Sequence, residues 1–147
     1  MKTIALRFAD NYAPAEGTIK LHEDVIKEYG YVWYGKFGNG ISEKNINEIM
    51  QNKSPRILLI NSGLPDRYWA YISDIRKNDI ELDKVPAYYR DRALSIKCWF
   101  KVNKIEPAEK NVMSKCVISS TGSLLSNSSK HSMNPFFIID YKEEEND

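Results

Sequence analysis

Cysteine is scarce in this chain: Cys98 and Cys116 are the only two among 147 residues. They form no metal-ligand spacing, and His22 and His131 stand away from both. A structural zinc site is therefore not expected, and the two thiols read as buried side chains in a reducing compartment. Long apolar runs are missing too. No segment approaches the roughly 18 apolar residues that a membrane-spanning helix needs. The opening MKTIALRFADNY has a short apolar run broken by Arg7 and Asp10, which is not the pattern of a signal peptide. These absences lead us to expect a cytoplasmic protein with no membrane partner. Net charge is also nearly absent, at +1, and names no partner by itself.

Catalytic signatures are equally sparse. There is no P-loop and no G-x-S-x-G nucleophile elbow. Ser129 and Ser132 flank His131, but a triad is set by spatial geometry and local adjacency does not define one. Gly35, Gly38 and Gly40 run in the order G-x-x-G-x-G, the reverse of the dinucleotide fingerprint, and read as a turn. Glu23 and Asp24 are adjacent, so on a helix they diverge by about 100° and cannot share a site. Asp10, Asp66 and Asp74 fall in or beside strands without a partner in the sequence. No catalytic residue, metal or cofactor is predicted.

What the chain does contain is aromatic side chains, 17 in all, several of them alternating along strands. The segment YGYVWYGKFGNG, residues 29–40, holds Tyr29, Tyr31, Trp33, Tyr34 and Phe37 with four of the seven glycines. Aromatics beside glycine turns and a lysine are the composition of a base-stacking site, and equally of a strand that feeds a core. The charge that exists is unevenly placed. Without Glu143, Glu144, Glu145 and Asp147 the chain carries 21 basic and 16 acidic side chains. A mildly basic body with an acidic end is compatible with nucleic acid.

The length predicts one domain, residues 1–142, followed by an acidic tail, 143–147, that is either a free end or the start of a linker. Period-two alternation predicts strands over TIALRFAD, YVWYGK, RYWAYISDIRK, SIKCWFKVNKIEP and PFFIIDY, with a weaker one in VMSKCVISS. The unbroken apolar run Ile57–Ile60 predicts a strand buried on both faces. TIKLHEDVIKEY reads as a helix stopped by Gly30, and Ser42 as the cap of a second, EKNINEIMQNK. Pro86 opens a helical turn or two in PAYYRDRAL. Residues 119–134 are a serine-rich loop or short helix. This order predicts an α+β fold: a small, curled, mixed or antiparallel β-barrel with two to three flanking helices.

That succession of parts resembles the PUA-like superfamily, over about Thr3 to Ile139. The resemblance is carried by RFADNYAP before a helix, VWYGK followed by SEKNINEIM, the apolar strand RILLINSG, then YWAYISDI, VPAYYRDRA and KCWFKV. Within the superfamily it is most similar to the EVE branch, a relative of the YTH readers. EVE-type domains usually have a Gly-Val-Arg-Asn-like run after the Trp and His-Ser after the apolar strand. This chain has YGKFG and Asn61-Ser62 there.

The resemblance implies a nucleic-acid reader that holds a flipped base, modified or unmodified, in an aromatic pocket. Restriction, another defence role or RNA handling would suit it. It implies Trp33 and Tyr34 as stacking rings, Asn61, Ser62 and Asn11 as readers of the base edge, and Lys36 as the phosphate contact. The partner would be DNA or RNA. A protein-interaction or regulatory module of a larger complex, with a fusion or partner protein, is the alternative. The related ASCH branch adds a second one, a hydrolase of modified nucleosides.

Overall fold

The computed structural model describes residues 1–10 and 13–143. Seven strands form one sheet: β1 (Lys2–Phe8), β2 (Val32–Lys36), β3 (Arg56–Asn61), β4 (Arg67–Arg76), β5 (Cys98–Pro107), β6 (Cys116–Ile118) and β7 (Phe136–Tyr141). Three α-helices accompany them: α1 (Thr18–Tyr29), α2 (Glu43–Met50) and α3 (Leu125–His131). Short 3-10 segments cover Leu82–Lys84, Ala87–Ser95 and Val112–Lys115.

The helix ends follow from local chemistry. Gly30 adopts φ 88° and its N–H returns to the carbonyl of Ile26, a left-handed cap that costs a Cβ-bearing residue strain. The Ser42 hydroxyl accepts the N–H of Asn45 and starts α2. Pro86 sits immediately before the 3-10 segment, whose first residue is Ala87.

Strand order is β2-β5-β4-β3-β1-β7-β6. All pairings are antiparallel except β1 with β3, so the sheet is mixed. The register of β4 on β5 shifts at Tyr71/Ile72 and Ile72/Asp74. Such irregularities bend a strand and increase its twist. The sheet curls far enough that the ammonium of Lys36, at the end of β2, lies 4.1 Å from the ring centre of Phe136, at the start of β7. Yet β2 and β6 remain the two edges, so the expected barrel is not closed.

Three apolar clusters pack against the sheet. Ile4, Leu6, Phe8, Tyr34, Ile57, Leu59 and Phe100 share one face with α1 and α2. Ala5, Leu58, Ile60 and Trp69 point the other way, against Val112, Met113, Leu125 and Tyr141. β3 is thus buried on both faces, as its apolar run predicts. The third cluster joins Trp33 and Trp99 to Val85, Tyr89, Ala93 and Ile96, which come from the 3-10 segment and its flanks.

Gly35 is required where β2 passes this third cluster. A Cβ there would lie 2.8 Å from Ile96 Cδ1 and 2.9 Å from the Trp99 ring. Gly35→Ala is expected to cost about 1–3 kcal/mol through overpacking, read as a lower urea midpoint at unchanged slope.

Candidate nucleic-acid interface

Because the sheet does not close, a seam is left between β2 and the β1–β7 pair. A cavity of about 330 Å³ occupies it. The end of β1 supplies Leu6, Arg7, Phe8 and Ala9; β2 and its turn supply Tyr34, Gly35, Lys36 and Phe37. Thr18 of α1, the segment Tyr88, Tyr89, Asp91 and Arg92, and Pro135 before β7 complete the wall. The volume is at the lower end of the range for small-ligand sites, about 300–1,000 Å³.

The aromatic side of the cavity is ordered by ring packing. Tyr89 lies near-parallel to Tyr88 at 4.7 Å and 24°, and near-parallel to Phe37 at 5.6 Å and 30°. Tyr89 is buried, Tyr88 half-buried and Phe37 43% exposed. The outer two rings therefore keep surface on which a flat ligand can stack. The Tyr88 hydroxyl is buried, in reach of the Thr18 and Tyr89 side chains. Burial is the main reason its pKa is raised, so it stays a neutral donor at physiological pH.

The cationic side is held by carbonyls. Lys36 is only 5% exposed. Its ammonium donates to the Asn39 carbonyl and, at 3.4 Å, to that of Phe37. Burial lowers its pKa, and the Cys98 thiol beside it opposes this. The Arg7 guanidinium donates to the carbonyls of Ser129 and Ser132, the latter at 2.9 Å, and stands 5.5 Å from the Phe137 ring centre.

Behind this wall is His22, fully buried between Tyr34, 4.8 Å away, and Tyr89, 5.4 Å away. Nδ1 is 2.7 Å from the Thr18 carbonyl. A carbonyl only accepts, so Nδ1 carries the hydrogen and Nε2, which has no partner, is the bare nitrogen. Burial pushes the imidazole pKa down to about 4. The unfolded chain takes up its proton near pH 6.5, well before the folded one does. Stability is therefore complete above that pH and falls on acidification towards 4. Between pH 7.5 and 5.5 the loss due to this residue is expected to be about 1 kcal/mol, measured by urea unfolding. A His22→Leu variant should lose that portion of the pH dependence.

The structure brings together two of the residues expected from sequence, Tyr34 and Lys36. Trp33 is corrected. Alternation along β2 sends it to the opposite face, where it is 0% exposed under the 3-10 segment. Its indole N–H donates to Glu81 Oε2 at 2.7 Å, a bond that holds the Glu81 carboxyl below its usual range. No face of that ring is open to a base.

Asn61 and Ser62 do not line the cavity. Asn61 is buried at the end of β3, its Nδ2 3.5 Å from Asp10 Oδ2, and Ser62 is exposed with its N–H on the Phe8 carbonyl. Asp10 in turn accepts the Thr18 N–H at 2.9 Å, the main reason its pKa is lowered. Asn61 is thereby linked to the cavity through Asp10 and Thr18 without forming its wall. Asn11 lies outside the described residues. So do residues 144–147, whereas Glu143 is 3.5 Å from the Arg56 guanidinium.

Arg7, Phe8, Tyr88, Tyr89 and Arg92 were not singled out from sequence. For Tyr88, Tyr89 and Arg92 the signal lies in YYRDR, two aromatics with an arginine three residues after the second, which reads only as a helical turn. Among the described residues no three His, Cys, Asp or Glu side chains gather to hold a metal, and no helix is long and apolar enough to cross a membrane.

An α+β domain built on one curled, open sheet, with a ligand-sized cavity in its seam, is the class that these features define. A family profile described as Pua-like matches residues 4–145, and the chain belongs to that family. Membership points to nucleic-acid binding in general terms. Neither a curated protein nor a solved structure matches the chain at a significant level.

Proposed function

We propose that this protein is a nucleic-acid reader that holds one unstacked base in the seam cavity. The observation that carries the reading is the composition of that wall. Near-parallel rings at Tyr88, Tyr89 and Phe37 and the cations Lys36 and Arg7 line one space of about 330 Å³. A base stacked on an aromatic ring gains about 1–3 kcal/mol with little regard to its identity. Identity has to come from polar groups, and the wall offers the side chains of Thr18, Tyr88, Asp91 and Arg92. A modified base suits the site because an added methyl group is accommodated by an apolar wall such as Leu6, Phe8 and Pro135. The EVE-like branch, with a role in defence or RNA handling, is the subfamily reading that accompanies this proposal.

The test is a fluorescence anisotropy titration with labelled single-stranded DNA and RNA, each with an unmodified or methylated central base. Binding should weaken about tenfold or more in Tyr88→Ala, whose half-buried position lets the fold persist. Affinity that is indifferent to Tyr88 would remove the stacking reading.

A further inference from the structure

The cavity does not end at Lys36. Lys36 and Pro135 also border a second, wider depression of about 840 Å³. Its walls are the turn after β2 (Gly38, Asn39), Asn45 of α2, Ser119 and Ser120 after β6, and Asn134 to Ile138 leading into β7, with Lys2 at one side.

Its chemistry is selective. Among the described residues no Asp or Glu lines this groove. The polar lining is Lys2, Lys36, Asn39, Asn45, Asn134, Ser119 and Ser120, above the rings of Phe136 and Phe137. Amide and hydroxyl groups with lysines, and without carboxylates, are what meets a sugar–phosphate backbone. Lys2 is held by Glu48, which offsets part of its charge. Lys36 is not paired in that way. An ammonium has three donors, and two of those of Lys36 go to the carbonyls of Phe37 and Asn39. The same ammonium lies 4.1 Å from the centre of the Phe136 ring, and Lys36 borders both the cavity and the groove.

We propose that this groove carries the sugar–phosphate backbone adjoining the base in the cavity, so that the ligand is an oligonucleotide strand and not a free nucleoside. The inference rests on the cavity being a base site. It adds a path for the flanking nucleotide, with Lys36 on the phosphate between the two and Phe136 beneath the neighbouring sugar or base.

The experiment compares fluorescein-labelled single-stranded DNA and RNA hexamers, carrying an unmodified or methylated central base, with the matching free nucleosides as competitors. The proteins are the parent chain, the double variant Ser120→Glu with Asn134→Asp, and Tyr88→Ala. Ser120 and Asn134 are exposed, so the double variant should keep the parent melting temperature. The groove assignment requires the hexamer to bind at least about tenfold more tightly than the nucleoside, with a linear salt dependence. The double variant should then lose about tenfold for the hexamer and nothing for the nucleoside. Equal affinity for hexamer and nucleoside, unchanged in the double variant but weakened in Tyr88→Ala, would overturn the groove and leave the base cavity standing. Hexamer binding sensitive to the double variant and indifferent to Tyr88→Ala would overturn the cavity reading, and with it this form of the groove proposal. Absence of binding by every probe would overturn both.

Discussion

Trp33→Ala is expected to lower stability by about 3–5 kcal/mol, the usual cost of deleting a large aromatic from a packed interior. The ring is wholly buried among Val85, Tyr89, Ala93, Ile96 and Trp99, and its loss opens a void beneath the 3-10 segment. Glu81 also loses the indole N–H that it accepts. Because that segment carries Tyr88 and Tyr89 to the cavity, the alanine variant should lose ligand binding together with its fold. Trp33→Phe separates the two effects. It keeps most of the apolar volume, gives up the bond to Glu81, and is expected to be less destabilised than alanine while binding oligonucleotide as the parent does. Were Trp33 itself the stacking ring, the phenylalanine variant would bind more weakly at parent stability. Chemical unfolding and anisotropy on the same samples distinguish these results.

The second large effect is expected at Lys36. Hydrogen bonds between charged groups contribute about 1.5–3 kcal/mol, so Lys36→Gln should weaken oligonucleotide binding about tenfold to a hundredfold. The same substitution should make the dependence of log K on log salt shallower by about 0.7, the value for one phosphate of a single strand. Glutamine can still donate to the carbonyl of Asn39 or Phe37, so the turn after β2 should survive. A parent-like salt slope in this variant would mean that Lys36 meets no phosphate.

Much of the fold is legible in local sequence. The apolar run of β3, the Gly30 stop and the Ser42 cap each have a nearby physical cause. The parallel pairing of β1 with β3 does not, because it depends on a crossover through α1, β2 and α2 that no short window encodes. Nor does the open seam. Closure depends on how far the sheet curls, and curl accumulates from twist and register shifts along the whole of β4 and β5.

The site divides along the same line. Alternation in β2 shows that Trp33 and Tyr34 face opposite ways. Which face is covered is decided far along the chain, by the 3-10 segment Ala87–Ser95 that roofs Trp33 and leaves Tyr34 at the cavity. Asn61 illustrates the converse. The end of an apolar strand is a sound place to look for a polar reader, but Asp10 and Thr18 stand between it and the cavity.

The seam between β2 and the β1–β7 pair is the proposed nucleic-acid site. The most direct measurement is amide chemical-shift mapping of the isotopically labelled protein with a single-stranded hexamer that binds in the anisotropy assay. Shifts are expected to concentrate at Arg7 to Ala9, Tyr34 to Asn39, Tyr88 to Arg92 and Phe136 to Ile138. Shifts centred on the opposite side of the sheet, around Trp69, Glu109 and Tyr141, with the seam unperturbed, would contradict this placement of the site.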